Sequence, residues 1–272
     1  MKSLNLIGAG RVGSTLARLW HDSGQYQVQD VLTRSAASAS TAIDFIGAGH
    51  AVGQLNELRA ADVWLLAVPD RQIAPVAAEL ADIMGDHPPA LALHCSGALA
   101  AAELAPLGHL GWSVASAHCL LSFATPQAAL QQFAGTPCAL EGDPLAVREL
   151  EPAFTRIEAR CFALAAEHKL LYHAGAVFAS NFAPVLQAVA NQLWHDSGVP
   201  ADVAARLNTS LLKNVVDNIL RLGPAAALTG PAARGDLALV QQQGDAVTAW
   251  NPTAGAAYVA LSKLAGQLRQ QA

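Results

Sequence analysis

Charged residues are scarce in this chain. They make up 14% of its 272 amino acids, and the formal net charge is -5 at pH 7. No basic run is present that would neutralise phosphates along a duplex, so a nonspecific nucleic-acid-binding protein is not expected. Hydrophobic residues make up 53% of the chain, which excludes a disordered protein. The composition predicts a large core, and the apolar surplus indicates a further buried surface such as a subunit interface.

Cysteine and long apolar runs are also scarce. The four cysteines form no C-x-x-C pair and lack the histidine spacing typical of a zinc site, so reduced thiols and no metal site are expected. No stretch approaches the ~20 apolar residues that span a bilayer. Because the first strand begins almost at the amino terminus, no secretory signal is expected either. We therefore expect a cytoplasmic protein with no membrane partner.

The amino terminus contains an apolar strand, Leu4 to Ile7, followed by a G-x-G-x-x-G turn and a helix. The first glycine permits a sharp turn, the second allows close approach of a pyrophosphate, and the third lets helix and strand pack. The helix N-terminus adds unpaired N–H groups and a positive dipole end. This pattern predicts a dinucleotide site. Its residues are Gly8, Ala9, Gly10, Arg11, Val12 and Gly13.

The second predicted strand, Tyr26 to Leu32, ends in Thr33, Arg34 and Ser35. An acidic residue at this point binds a ribose 2′-hydroxyl, whereas arginine accommodates a 2′-phosphate. Arg34 therefore favours NADP over NAD, because it pairs with the phosphate while the flanking hydroxyls donate to it. Asp30 lies inside the strand rather than at its end. The alternative is that Arg34 is an ordinary exposed loop charge.

Strand and helix patterns alternate through residue 164, and only helices are predicted beyond it. This alternation is typical of a doubly wound sheet with helices on both faces. The predicted fold class is α/β, with a doubly wound Rossmann sheet followed by an all-α carboxyl-terminal domain. The domains are expected to be an NADP-binding domain of residues 1–164 and a helical domain of residues 165–272.

Two predicted strands end in residues suited to a ligand site. One apolar run ends at Val68-Pro69-Asp70, and the strand from Ala90 to His94 continues into Ser96 and Gly97. Ligands bind at the carboxyl edge of such sheets, so we expect both strand ends to contact the cofactor and Ser96 to bind the carboxamide or substrate. A helix is predicted from Ala98 to Ala105. His94 and His118 are expected either to pack in the interior or to support the residues that contact the ligand, rather than to act as acids.

The first helix of the second domain is expected to face the nicotinamide. It carries Lys169 and His173 one turn apart on the same face. A carbonyl or imine reductase must supply a proton or positive charge to the heteroatom, which Lys169 can do while His173 orients it or relays protons. The alternative is a solvated lysine and a packing histidine. Asn181 lies to one side of this face.

A turn-rich segment from Leu228 to Asp236 is a candidate for substrate binding. It contains two glycines and a proline, and Asp236 is expected to cap the following helix. Arg234 can hold a carboxylate through two hydrogen bonds. The alternative is an interhelical loop with a solvent-facing arginine.

These motifs resemble the 6-phosphogluconate-dehydrogenase-like superfamily of NADP-dependent reductases, which includes ketopantoate and pyrroline-carboxylate reductases. Within it, the chain is similar to a Rossmann-like family of oxidoreductases whose substrates are largely unknown. The resemblance implies a catalytic lysine at Lys169, although the asparagine common four residues later is His173 here. It also implies a homodimer joined through the helical domains. The matching segments are residues 8–13, 33–35, 68–70, 94–99, 171–175, 180–181 and 228–236.

The expected function is therefore an NADP-dependent oxidoreductase that transfers a hydride between NADPH and a small 2-oxo acid, aldehyde or imine, with ketopantoate as the first substrate to test. The alternative is a non-catalytic NADP-binding regulatory or scaffold protein. The expected catalytic residues are Lys169 and His173, and the expected substrate-binding residues are Ser96, Gly97, Asn181 and Arg234. Cofactor contacts are expected from the glycine turn and from Thr33, Arg34, Ser35, Val68, Pro69, Asp70 and Ser96.

Overall fold

The computed structural model describes residues 1–270. They form two compact units, the first comprising Met1–Ser180 and the second beginning at Asn181. Lys169 and His173 therefore belong to the first unit. The domain boundary after residue 164 stays a prediction. No helix within residues 1–270 is long and apolar enough to cross a membrane.

The first unit is built on an eight-stranded sheet. Its strands are β1 (Lys2–Ile7), β2 (Tyr26–Leu32), β3 (His50–Val52), β4 (Val63–Leu66), β5 (Leu91–His94), β6 (Ser113–Cys119), β7 (Pro137–Gly142) and β8 (Arg160–Ala163). They are arranged in the order β3-β2-β1-β4-β5-β6-β7-β8. All neighbouring pairs are parallel except β6 with β7, which is antiparallel. The first six strands have the order of a dinucleotide-binding sheet, so the predicted fold class is confirmed.

Helices connect these strands, and between β8 and residue 270 all of the regular structure is helical. Those of the first unit are α1 (Arg11–Asp22), α2 (Ala36–Ile46), α3 (Asp70–Met84), α4 (Ala105–Gly108), α5 (Pro126–Gln132), α6 (Pro144–Arg156) and α7 (Lys169–Ala176). Short 3₁₀ turns cover Leu55–Glu57, Ala101–Leu104 and Ala166–His168, and a π-helical segment covers Val177–Asn181. The second unit contains α8 (Phe182–Asp196), α9 (Ala201–Leu222), α10 (Pro224–Ala227), α11 (Pro231–Arg234), α12 (Leu237–Trp250) and α13 (Pro252–Arg269).

The sheet has a hydrophobic core on each face. Because side chains alternate along a strand, Leu4 and Leu6 of β1 pack into the core that contains Trp20 of α1. Ile7 belongs to the opposite core, with Ile73 of α3. Burial on both faces explains why the central strands are nearly continuous apolar runs.

The helix predicted from Ala98 to Ala105 is wrong. The Ser96 hydroxyl accepts hydrogen bonds from the backbone N–H groups of Ala98 at 3.2 Å and Leu99 at 3.0 Å. These bonds hold the chain in a side-chain-capped turn after β5, and only the 3₁₀ turn Ala101–Leu104 follows before α4. A serine next to a strand end therefore competes here with local helix formation.

Candidate functional site

The glycine-rich turn joins β1 to α1. Gly8 has a φ of +87°, a conformation that favours glycine, and a Cβ on Gly13 would collide with the Gly8 carbonyl oxygen. Gly10 is the N-cap of α1, with no side-chain cap, and a Cβ there would meet nothing within 4 Å. The start of α1 therefore presents backbone N–H groups beside open space, which fits the pyrophosphate of a dinucleotide.

The basic residue Arg34 follows the end of β2. The acidic residue within that strand, Asp30, is already paired with another side chain. The buried Asp30 accepts hydrogen bonds from the Arg59 backbone N–H at 2.9 Å and from Nη2 of Arg59 at 2.5 Å. Arg34 is exposed just after β2, beside the N-terminus of α2, where the Ser35 hydroxyl accepts from the Ser38 N–H at 3.2 Å. A cation next to a helix N-terminus suits an anionic group on the ribose.

The two predicted strand ends lie next to each other. Asp70 begins α3, and its Oδ2 accepts a hydrogen bond from the Ser96 hydroxyl at 2.9 Å. Because that hydroxyl also accepts from two backbone N–H groups, all of its hydrogen-bonding capacity is used within the protein. The contact of Ser96 with a ligand stays a prediction, and it would require exchange of one of these bonds.

Lys169 points into the protein. The residue is 1% exposed, and its Nζ donates hydrogen bonds to the Ser96 carbonyl oxygen at 3.2 Å and the Ser116 hydroxyl at 2.8 Å. Burial lowers the pKa of the amine, and the nearby Glu141 and Asp70 carboxylates oppose this shift only in part. The amine links the start of α7 to β6 and to the turn after β5.

His118, Tyr172 and His173 form a partly exposed group beside Lys169. Nδ1 of His118 is hydrogen-bonded to the Tyr172 hydroxyl at 2.9 Å. The His118 ring stands edge-to-face with both neighbours, with centroids 5.6 Å from Tyr172 and 5.6 Å from His173. A Cβ on Gly97 would collide with Cδ2 of His173 and lie 2.8 Å from Nε2 of His118. Because Gly97 has no side chain, the imidazoles of His118 and His173 can pack against the turn after β5.

Two histidines of the first unit are kept neutral by burial. Desolvation lowers the pKa of His94 to about 4 and that of His118 to about 4. Nδ1 of His94 accepts from the Ser96 N–H at 3.1 Å, so Nε2 carries the proton that is donated to the Ala100 carbonyl oxygen at 3.0 Å. His94 is fully buried, in keeping with its expected packing role. His118, by contrast, belongs to the partly exposed group with Tyr172 and His173.

The remaining substrate-binding candidates lie in the second unit. Asn181 ends the π-helical segment, and Arg234 is the exposed last residue of α11. The predicted cap by Asp236 is confirmed, since its Oδ1 accepts from the Leu239 N–H at 3.2 Å. Contacts of Asn181 and Arg234 with substrate stay predictions. Residues 1–270 contain no group of three or more His, Cys, Asp or Glu side chains able to hold a metal ion.

Two members of the site were not identified from the sequence. Ser116 lies in the middle of β6, where nothing distinguishes a buried serine that binds an amine from an ordinary strand residue. Tyr172 follows Lys169 by three residues, so helical spacing places it near the Lys169 and His173 face. That spacing was the available signal for Tyr172.

Family models match two successive parts of the chain. A Rossmann-like domain matches residues 2–119, and a domain of unknown function, DUF2520, matches residues 136–265. The second family model begins at β7, and it therefore includes β7, β8 and α7 as well as most of the second unit. No protein of curated function matches the sequence.

Solved structures share the fold over nearly the whole chain. The protein TM1727 of Thermotoga maritima has 26% sequence identity and a TM-score of 0.75, with 98% of each chain covered. The candidate NADP oxidoreductase BF3122 of Bacteroides fragilis has 21% identity and a TM-score of 0.79, again with 98% of each chain covered. An imine reductase variant of Myxococcus stipitatus in complex with NAD+ has 18% identity and a TM-score of 0.64, covering 98% of this chain and 94% of its own.

Acid sensitivity follows from the buried neutral histidines. Unfolded histidines have a pKa of about 6.5 and take up protons before His94 and His118 do, so stability should fall as the pH decreases from about 6.5 to about 4. Each such histidine contributes a slope of up to ~1.4 kcal/mol per pH unit. We expect His118→Asn to reduce this slope, measured by urea unfolding at a series of pH values and followed by tryptophan fluorescence.

The control for this prediction is His50→Asn, which replaces an exposed histidine on β3 and should leave the slope unchanged. An identical slope in wild type and His118→Asn would contradict the assignment of His118 as a neutral histidine.

Proposed function

We propose that the protein is an NAD(P)-dependent oxidoreductase that reduces a carbonyl or imine bond of a small molecule. The observation that carries the proposal is the uncapped start of α1 beside open space at Gly10, in the same unit as a partly exposed group of proton-carrying side chains at His118, Tyr172 and His173. A bound reduced nicotinamide supplies a hydride, and the protein must supply the proton.

NADP is the proposed cofactor. Arg34 is exposed after β2, whereas Asp30 is occupied by Arg59 and does not offer a carboxylate to the ribose. The structural neighbours support a nicotinamide cofactor without favouring one form, since one is described as an NADP oxidoreductase and another was solved with NAD+.

Lys169 and His173 are the catalytic residues predicted from the sequence, and their geometry differs. His173 is partly exposed and lies against Gly97, so it can approach a ligand at the end of β5. Lys169 donates to Ser96 and Ser116 inside the protein. Its burial favours a part in positioning the strand ends over direct contact with substrate.

The proposed substrate is a small 2-oxo acid, aldehyde or imine. The likeness to an imine reductase supports the imine class, and none of the neighbours described above is named for ketopantoate. Ketopantoate therefore stands as one member of the 2-oxo acid class to be tested.

A substrate panel tests the proposed activity. The purified full chain is mixed with NADPH or NADH and with 2-methyl-1-pyrroline, ketopantoate, other 2-oxo acids or aldehydes, and oxidation of the reduced nicotinamide is followed by absorbance. We expect turnover with at least one carbonyl or imine class. Tight binding of NADP without hydride transfer to any member of a broad panel would instead support the non-catalytic alternative.

Removal of the Arg34 guanidinium tests the cofactor proposal. A charge-assisted hydrogen bond contributes about 1.5–3 kcal/mol, so Arg34→Ala should weaken NADPH binding by about 10- to 100-fold and leave NADH binding nearly unchanged. Isothermal titration calorimetry measures both affinities.

Arg148→Ala, on α6 and outside the glycine turn, is the matched control and should bind NADPH as the wild type does. Equal affinities of the wild type for NADPH and NADH, or an unchanged NADPH affinity in Arg34→Ala, would contradict recognition of a 2′-phosphate.

A homodimer formed through the helical region is also proposed. Of the 22 described residues of α9, Ala204 alone is buried, although the helix has an apolar stripe. A helix of this composition needs a partner surface to bury that stripe. The stripe consists of Leu207, Leu211, Leu212, Val215, Ile219 and Leu222, each at least 39% exposed.

A charged residue within this stripe should dissociate the dimer. We expect the wild type to sediment as a dimer and Leu211→Asp to sediment as a folded monomer, because Leu211 is 54% exposed and contributes little to the unit's own core. Leu220→Asp is the control, since Leu220 lies about two and a half turns further on, on the opposite side of α9. A monomeric wild type would refute the proposal.

A further inference from the structure

The group beside Gly97 contains a hydrogen bond between two side chains that can both carry a proton. The Tyr172 hydroxyl and Nδ1 of His118 are 2.9 Å apart, and they come from different elements, α7 and β6. Both residues are partly exposed. A phenol bonded to an imidazole can give its proton to a ligand and be reprotonated directly by the imidazole, without first exchanging with solvent.

Lys169 is a poor proton donor to a ligand by comparison. Its two hydrogen bonds go to Ser96 and Ser116, and the residue is almost completely enclosed. To reach a substrate, the amine would have to break both bonds. Its position behind the turn after β5 instead fixes the start of α7, and therefore the helical turn that carries Tyr172.

Gly97 allows His118, to which Tyr172 is bonded, to lie at the end of β5. The absence of a side chain allows the His118 ring to lie over the turn, with Nε2 close to Gly97, and allows His173 to pack against the same residue. Both rings thus rest at the carboxyl edge of the sheet, where ligands of doubly wound folds bind. The position of His118, and with it that of the bonded Tyr172, therefore depends on the backbone at the end of β5.

We propose that Tyr172 donates the proton to the substrate heteroatom and that His118 returns a proton to Tyr172 through Nδ1. This inference rests on the proposed reductase function and names the acid within it. Tyr172 is then a catalytic residue, and His118 is the relay that restores it. Lys169 is a positioning residue.

The reaction delivers one proton to the substrate and takes one proton from solvent. As hydride adds to carbon, the electron pair of the C=O or C=N double bond moves to the heteroatom, which takes the phenolic proton of Tyr172. The Nδ1 proton of His118 passes to the phenolate oxygen, and Nε2 takes a proton from water. Exchange with water then returns the His118 ring to its starting tautomer.

The surroundings keep both members of the pair neutral before reaction. Burial raises the pKa of the Tyr172 phenol, so it retains its proton at neutral pH. Burial, together with the nearby His173 and Lys169, lowers the pKa of His118 to about 4, and the Asp70 carboxylate only partly opposes this. A neutral imidazole holds one ring proton and can take up a second at the other nitrogen as it releases the first.

The tautomer of His118 gives a test that needs no substrate. In protein labelled with ¹⁵N-histidine, two-bond ¹H–¹⁵N correlation spectra near pH 7 should show the His118 proton on Nδ1, where it can be donated to Tyr172. His94 serves as an internal reference, because its bonds to Ser96 and Ala100 place the proton on Nε2. Tyr172→Phe should abolish the Nδ1 preference of His118 and leave His94 unchanged.

Kinetics test the catalytic role on whichever probe of the panel the wild type reduces, beginning with 2-methyl-1-pyrroline. General acid catalysis contributes about 10²- to 10⁴-fold, so Tyr172→Phe should lower kcat by that factor with an unchanged Kd for NADPH. Tyr258→Phe is the matched control, because it removes a phenol whose hydroxyl donates to Gln243 in the second unit, and its kcat should equal that of the wild type.

Chemical rescue separates the relay from a packing role of His118. His118→Ala should lower kcat, and added imidazole should restore part of it, since a small base can occupy the space left by the ring. A loss of kcat in His118→Ala that imidazole does not restore would count against the relay.

The outcomes distinguish the two proposals. If the wild type reduces no member of the panel, the reductase function fails, and the tautomer of His118 still decides whether the pair is arranged to donate through Tyr172. If the wild type is active but Tyr172→Phe is as fast as Tyr258→Phe, the relay is overturned and the reductase function stands. A His118 proton on Nε2 in the wild type also overturns the relay, because Tyr172 would then donate into the ring.

Discussion

A buried lysine amine holds the site together. Removing an amine from water costs free energy unless its protons find acceptors, and Lys169 finds them in the Ser96 carbonyl oxygen and the Ser116 hydroxyl. Ser116 in turn donates to Ser96 at 3.1 Å, so the three groups form a closed set of hydrogen bonds. Loss of any member would leave a buried polar group unsatisfied. The start of α7 is thereby tied both to β6 and to the turn after β5.

Under the proposed function, this arrangement allows a chain with few charges to transfer protons. The groups at the end of β5 are a lysine with a lowered pKa, a histidine kept neutral and a phenol with a raised pKa. Proton transfer along such groups does not require a net charge to be buried beforehand. The same burial that shifts these pKa values also holds the side chains in place, so positioning and protonation state have a common cause.

The sequence predicts local features well and distant pairings poorly. The glycine turn, the strand ends and the Asp236 cap depend on spacing within a few residues, and for these the sequence was sufficient. The antiparallel direction of β7 was not predicted, because an apolar run carries no information about strand direction. The helix expected from Ala98 to Ala105 fails because the Ser96 hydroxyl binds the backbone there. The His118–Tyr172 bond joins residues 54 positions apart, beyond the reach of any periodicity.

Asp30 illustrates how a distant pairing changes the interpretation of a local sequence motif. A fully buried carboxylate in β2 would be costly if unpaired, and Arg59 satisfies it through its backbone N–H, Nε and Nη2. That pairing also cancels most of the negative potential that Asp30 would project toward the end of the strand. Arg34 is then the exposed charge that follows β2. Under the proposed function, the ion pair between the buried Asp30 carboxylate and the exposed Arg59 guanidinium leaves Arg34 to bind an anionic group on the ribose only a few residues from an aspartate.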